Sequence, residues 1–375
     1  MFRSRLDVTG GSELKRKMEK GCKSFLIVRR KDTKDMNWGA VKPNSKQRAD
    51  SNSPPGSDAS PAKKEGDVTP DTMDLPLPLR ERYRVEKKLG RGAFGIALLV
   101  VSKTTDEKSV AKVMNLRAMT PKDKKNVKNE IDCLSQCNHI NIMRHIETYA
   151  DETNLVLFTE FADGGDLAQE IRVRKQKNQP FSSADVACIF AQICLALDHI
   201  HQKGILHRDV KPANIFFTRR GLIKVGDFGF SKQYDETVSN EVGQTVLGTP
   251  YYLSPEMWLG ERYSKKADMW AAGIVLFEMM ALTRPFKCDK MKELCDAVRA
   301  GAVPPIPAGH FDGDLIKVCY RLLVVDPSAR PEFREVLQLK VFQGALKSIL
   351  AVLGHAFFAN CREAMTAHIS SMLIG

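Results

Sequence analysis

Between Lys203 and Gly229 the chain reads KGILHRDVKPANIFFTRRGLIKVGDFG, and this stretch constrains the fold more than any other. Two acids, Asp209 and Asp227, stand eighteen residues apart, with Asn214 between them and Lys211 two residues after the first. Ile215-Phe216-Phe217 and Leu222-Ile223-Lys224-Val225 are short apolar runs, separated by a turn signal at Arg219-Arg220-Gly221. The pattern predicts a hairpin that returns the chain to its start, so that both acids face one pocket. An acid with Asn five residues on, and a second acid just before Phe-Gly, is the layout phosphoryl transfer needs. One carboxylate accepts the proton of an attacking hydroxyl. The other, with the amide oxygen of Asn214, offers hard oxygen ligands to Mg²⁺.

Upstream, Tyr83–Leu89 and Ile96–Ser102 read as strands joined by Gly90-Arg91-Gly92-Ala93-Phe94-Gly95. A G-x-G-x-x-G loop alone also fits a dinucleotide fold, but there it opens a helix. Here it leads straight into Ile96-Ala97-Leu98-Leu99-Val100-Val101, which favours a flap closing over nucleotide phosphates. Lys112 follows in an apolar strand, Val110-Ala111-Lys112. A buried ammonium needs an anionic partner. Glu130 is the natural one, in a helical run with Ile131, Leu134 and Cys137 on one face.

Composition bounds the rest. The chain has 375 residues, 43% of them hydrophobic, enough for one large domain or two small ones with tails. Residues 1–80 hold 17 Lys/Arg against 11 Asp/Glu, half of the net charge of +12. Their Pro/Ser/Asp/Lys-rich section from Lys42 to Pro78 predicts a largely disordered basic tail. That tail is either a solvated face or an arm for an acidic cytoskeletal or membrane surface; no nucleic-acid partner is expected. The nine cysteines contain no C-x-x-C pair, and Cys133 and Cys137 are expected as buried free thiols in a reduced, intracellular protein. No apolar run is expected to span a membrane. His199 and His201 fall in a helical run over 183–203 and are expected as ordinary helix residues.

His207-Arg208-Asp209 with Asn214, and Asp227-Phe228-Gly229, resemble the catalytic and metal loops of a protein kinase. The resemblance covers residues 83–342. Asp209-x-Lys211-Pro212 points to the Ser/Thr class. Val225-Gly226-Asp227-Phe228-Gly229, Gly248-Thr249-Pro250-Tyr251-Tyr252-Leu253-Ser254-Pro255-Glu256 and Val303-Pro304-Pro305-Ile306-Pro307 are similar to NIMA-related (NEK) kinases. The resemblance implies an α+β, bilobal kinase fold with a β-rich N-lobe and a helical C-lobe, and a cytoplasmic enzyme with possible cytoskeletal or ciliary association. It implies transfer of the ATP γ-phosphoryl group, with Mg²⁺, to Ser or Thr of protein substrates.

By the same resemblance, Asp209 is the base and Lys211 neutralises the γ-phosphoryl. Asn214 and Asp227 hold metal, and Thr249 helps fix Asp209 and Lys211. Leu89, Gly90, Arg91, Gly92, Ala93, Phe94, Gly95 and Ala97 line the nucleotide, and Lys112, fixed by Glu130, holds its α/β-phosphates. Thr159 stands behind the adenine, the backbone of Glu160 and Ala162 bonds its edge, and Asp166 reaches the ribose. Thr245 is the regulatory phosphosite, Phe230 sets a preference for serine, and Arg330 pairs with Glu256. Ala97 departs from the family's usual valine, and Ser254 from the commoner alanine. The alternative, a kinase-shaped scaffold recruiting partners through its tails, is disfavoured because no catalytic position is missing.

Beyond residue 342, Leu346, Ile349-Leu350, Leu353, Phe357, Cys361, Ala364-Met365, His368-Ile369 and Met372 recur at three- and four-residue spacing. They predict one amphipathic helix over 343–375. It either packs on the C-terminal lobe or pairs with a second chain or partner helix; lying in a membrane interface is the lesser alternative, since its polar face is poor in Lys/Arg.

Overall fold

The computed structural model describes residues 75–91, 95–228, 232–233, 250–307, 309–353 and 359–373. Contacts divide these residues into two units, one of 75–120 and 146–161, the other of 121–145 and 162–373. The division matches the expected β-rich and helical lobes.

The first unit is a five-stranded sheet. Helix α1 (Leu77–Arg82) leads into β1 (Tyr83–Arg91), β2 (Gly95–Ser102), β3 (Lys108–Asn115), β4 (His145–Ala150) and β5 (Asn154–Glu160), in spatial order β1-β2-β3-β5-β4. Ile96, Leu98 and Val100 alternate along β2 and meet Ala111, Val113, Val156 and Phe158 in the core. Gly95 cannot be replaced without moving a strand, because an added Cβ would lie 1.9 Å from the carbonyl oxygen of Val113. Leu75 and Leu79 join this core at 0% and 1% exposure. The expected tail of 1–80 is therefore corrected at its end. Leu75 to Pro78 falls at the end of the proline-rich section, but Pro76 caps α1 and Pro78 occupies its first turn, where no intrahelical N–H is needed. The rest of the tail, to residue 74, lies outside the described residues.

The second unit is built on two helices that are apolar nearly all round, and are therefore buried. They are α4 (Ser183–Gln202) and α6 (Lys265–Ala281). A capping box starts α4, Ser182 Oγ accepting from the N–H of Asp185 at 3.1 Å while the Asp185 carboxylate accepts from that of Ser182. By length and composition α4 could cross a membrane, contrary to expectation, but most of it is buried as a core helix. Before α4 come α2 (Pro121–Ser135) and α3 (Leu167–Lys177). After it run β6 (Ile205–Leu206), β7 (Ile215–Phe217), β8 (Ile223–Val225) and β9 (Lys232–Gln233). The helices α5 (Pro255–Trp258), α7 (Met291–Ala300), α8 (Gly313–Leu322) and α9 (Phe333–Leu337) complete the unit. Cys133 and Cys137 are free and buried, as expected.

The C-terminal stretch is not one helix. It forms α10 (Lys340–Leu353) and α11 (Ala359–Ser370), with residues 354–358 between them outside the described set. Gln343 Nε2 donates to the carbonyl of Met372 at 3.2 Å. In one straight helix these residues would be about 43 Å apart, so the two helices fold back as a hairpin. Phe342 packs against Phe190 of α4 with tilted rings, centroids 6.0 Å apart, and Leu346, Ile349, Met365 and Ile369 are buried. Periodicity could not show the reversal, because both helices carry the same apolar spacing.

Arg330, 1% exposed, meets Glu256 through two parallel bonds of 2.7 and 2.8 Å. Its three other N–H groups go to the carbonyls of Val324, Lys266 and Val325. All five donors are thus used, which offsets the cost of burying the charge. Glu256→Ala leaves that charge unpaired and should destabilise the protein by about 3–5 kcal/mol, read from urea midpoints. Arg330→Lys, which lacks the planar fork, should also lose most of the stabilisation. Wild-type midpoints in both variants would contradict the assignment.

Candidate active site

The expected hairpin forms. Ile215 pairs with Val225 and Phe217 with Ile223 in antiparallel register. The N–H of Gly226 then donates to the carbonyl of Asn214 at 2.9 Å, which brings the residue before Asp227 back beside Asn214. Asn214 in turn gives its side-chain N–H groups to the carbonyl and to Oδ2 of Asp209, at 2.8 and 2.9 Å. Lys211 Nζ meets the same Oδ2 at 2.6 Å. Three of the expected catalytic residues are therefore in direct contact, and Asp227 is tied to them through its neighbour. Both of Asp209's side-chain acceptor bonds among the described residues fall on Oδ2, which leaves Oδ1 for a substrate proton. The Asp209 carboxylate is only 2% exposed, whereas Asp227 is exposed.

The loop is held from below by a residue that the sequence reading passed over. Asp268, in the first turn of α6, accepts from the backbone N–H groups of His207 and Arg208, both at 3.0 Å. It also accepts from the Tyr263 hydroxyl at 2.6 Å and bonds His201 Nε2 at 2.8 Å. His201 is thus more than an ordinary helix residue. Arg208 and Asp227 adopt left-handed backbone, with φ of 67° and 58°. Such conformations cost about 1–3 kcal/mol each in a non-glycine residue and persist where surrounding bonds determine them. His207 is fully buried, and burial holds its imidazole below the usual value. It stays neutral, with Nδ1 accepting from the N–H of Asp209 and Nε2 donating to the carbonyl of Gly226 at 3.2 Å. Its ring packs on Phe228, with centroids 4.9 Å apart. A signal existed in the sequence: an acid opening an otherwise apolar helix must be buried and therefore partnered.

The segment 162–166 is stitched to the same hairpin. Gly164 N–H donates to the carbonyl of Phe217, and Phe217 N–H to that of Gly165, both at 2.7 Å. A Cβ on Gly164 would lie 2.7 Å from the Phe217 oxygen, so only glycine allows the approach. Ala162 is buried, and Asp166 caps α3 by accepting from Gln169 N–H at 2.8 Å. Glu130 is buried on α2. In the sheet unit, Leu89, Gly90 and Arg91 end β1, and Gly95 and Ala97 begin β2. Lys112 lies on β3 opposite Ala97 and Leu157, and Thr159 and Glu160 close β5. Gly92, Ala93, Phe94, Gly229, Phe230, Thr245 and Thr249 lie outside the described residues.

The Asp268 contacts set a pH dependence. Burial pushes its carboxyl upward, but the His201 hydrogen bond and charge and the Tyr263 hydrogen bond hold it down to about 2, from an ordinary 3.8. A carboxyl lowered by folding contributes stability that is fully present above about pH 4 and is lost as pH falls through about 2. The contribution is about 2 kcal/mol. Asp268→Asn should start less stable at pH 7 and decline less steeply between pH 4 and 2 in urea titrations. Parallel declines would show that Asp268 is not the group responsible.

Residues 83–342 match the family model of the protein kinase domain. A putative serine/threonine-protein kinase A of Trypanosoma brucei brucei is 39% identical over 297 residues, covering 78% of this chain and 69% of that protein. The mouse serine/threonine-protein kinase Nek1 is 36% identical over 69% of this chain but only 21% of its own length. Mouse Nek5 is 34% identical over 79% of this chain and 45% of that protein. With the Asp209–Lys211–Asn214 cluster on its hairpin and the matched family, the chain belongs to the protein kinases, and the relatives it is similar to are serine/threonine kinases, several of them NIMA-related.

Proposed function

We propose that the protein transfers the γ-phosphoryl group of ATP to serine or threonine hydroxyls of protein substrates, using Mg²⁺. The observation that carries this reading is the Asp209 carboxylate, engaged through Oδ2 by Lys211 and Asn214 and linked through Asn214 to the strand end that bears Asp227. Oδ1 of Asp209 orients the acceptor hydroxyl and takes its proton. Lys211, held beside Asp209 at 2.6 Å, supplies an ammonium to balance charge on the transferring group. Lys112 and Glu130 serve the α/β-phosphates by resemblance, as do Thr159, Glu160, Ala162 and Asp166 the nucleoside.

The residues present fit a metal of the Mg²⁺ type. Asn214 commits its amide nitrogen to Asp209, so its oxygen is the atom left to ligate. Asp227 adds an exposed carboxylate. Among the described residues no group of three or more His, Cys, Asp or Glu could hold a metal, in keeping with an ion that draws its other ligands from water and phosphate. When bound, Mg²⁺ neutralises charge on the phosphate oxygens. The basic segment before residue 75 is proposed as an arm for an acidic cytoskeletal or lipid surface, on its charge alone. A cytoplasmic location with cytoskeletal or ciliary association rests on the resemblance alone.

Asp209→Ala should lower kcat by about 10²–10⁴-fold while leaving nucleotide affinity nearly unchanged. Asp227→Ala should abolish Mg²⁺-dependent nucleotide binding, measured by calorimetry with and without the metal. An Asp227→Ala enzyme with wild-type turnover would refute the mechanism.

Regulation is proposed at Thr245. A phosphate adds about −1.5 to −2 charges. Arg208 supports this reading, since its backbone is fixed by Asp268 and its guanidinium lies over the Tyr263 ring at 5.3 Å. Thr245→Ala should lose most activity, and mass spectrometry of the active enzyme should find phosphate there. Full activity in Thr245→Ala, with no phosphate elsewhere in 231–249, would remove the site.

A further inference from the structure

Three histidines that the catalytic chemistry does not use meet where the C-terminal hairpin docks. His139 precedes β4, His199 ends α4 and His368 belongs to α11. Ring centroids of His139 lie 4.9 Å from His199 and 5.9 Å from His368. His368 Nε2 bonds the Asp198 carboxylate at 2.8 Å, joining α11 to α4. Beside them is a cavity of about 290 Å³, closed on the hairpin side by Met365, Ala367, His368 and Ser371.

Two of these imidazoles are sealed in a way that suits only their neutral form. Nε2 of His139 and Nε2 of His199 are buried with no hydrogen-bond partner among the described residues. Nδ1 of His139 accepts from the backbone N–H of Asn141 at 3.1 Å, so its one proton is on Nε2. A second proton would have to go to Nδ1, against the N–H of Asn141, and break that bond. The same bond argues against a metal here, because ligation through Nε2 needs the proton moved to Nδ1. The charged groups facing the cluster are mostly cationic. Lys224 on β8 and Lys203 after α4 repel a proton, Arg334 of α9 lines the cavity, and Asp198 is the acid that faces it. Burial, and then these neighbours, hold His139 well below its ordinary value and His199 at about 4.

We propose that the α10–α11 hairpin is held by an imidazole latch that releases on proton uptake: His139 and His199 accept the docked hairpin when neutral and expel it when charged. Once the hairpin leaves, the rings of His139 and His199 meet water and titrate normally, so protons drive undocking as pH falls below about 6.5. Release bares the apolar face of Leu346, Ile349, Met365 and Ile369, which are buried when docked.

Hydrogen exchange on the full chain at pH 7.5 and 5.5, corrected for intrinsic rates, tests this. His199 moving from about 4 docked to 6.5 released should raise the opening equilibrium of amides in 359–370 about tenfold over that range. Amides of α6 serve as the core reference and should not change. His199→Leu, which cannot take a proton, should remove about that tenfold of the response. His199→Gln, similar in size and also unable to charge, should do the same if the leucine variant folds poorly. A flat wild-type response would overturn the proposal. So would parallel loss of protection in α6, which marks global acid unfolding, or an undiminished response in both variants.

Discussion

The structure of the catalytic unit depends on one buried carboxylate. Asp268 is fully buried, where an unpartnered charge would cost several kcal/mol. Its four donors come from three places in the chain: α4 through His201, the loop through His207 and Arg208, and Tyr263 just before α6. Satisfying it therefore forces these elements into one arrangement. The loop hangs from the core by two backbone N–H groups, and the left-handed turn at Arg208 follows from that attachment. Asp209 is then fixed in place by residues that lie behind it in the core.

A second chain of bonds crosses the hairpin. Asp209 is bonded by Asn214, Asn214 accepts from Gly226, and Gly226 accepts from His207. This closes a loop between the two acid-bearing segments. The links fix Oδ2 of Asp209 and the side-chain nitrogen of Asn214, and leave Oδ1 and the Asn214 oxygen facing the chemistry. His207 illustrates the point. Its neutrality, enforced by burial, makes one ring nitrogen a donor and the other an acceptor, and both roles are filled.

Helix α4 serves two ends of the molecule with residues two positions apart. Two helical positions differ by about 200°, so His199 and His201 point to opposite sides. His201 secures the catalytic loop through Asp268, while His199 faces the C-terminal hairpin. One rigid, capped helix thus presents an imidazole bonded to Asp268 on one side and the imidazole of the proposed latch on the other. The difference lies in the partner. Asp268 satisfies His201 directly, whereas Nε2 of His199 is buried with no acceptor among the described residues.

Local pattern determined much of this protein by itself. The short apolar runs around Arg219-Arg220-Gly221 imply a hairpin because strand and turn chemistry act within a few residues. The acids at its ends, with Asn214 and Lys211, imply the chemistry for the same reason. The apolar character of α4 and α6 was legible as burial. Tertiary structure alone decided which distant groups satisfy which buried charges. Asp268 gathers Tyr263, His201 and two backbone donors about sixty residues upstream, and no spacing rule encodes that. The same holds at both ends of the chain. Leu75 and Leu79 look like part of a proline-rich tail until a sheet core is present to bury them. Residues 343–373 have helix periodicity in either a straight or a folded-back form. Only packing against α4 and the bond from Gln343 to Met372 select the hairpin, because periodicity records which side of a helix is apolar and not what lies against it.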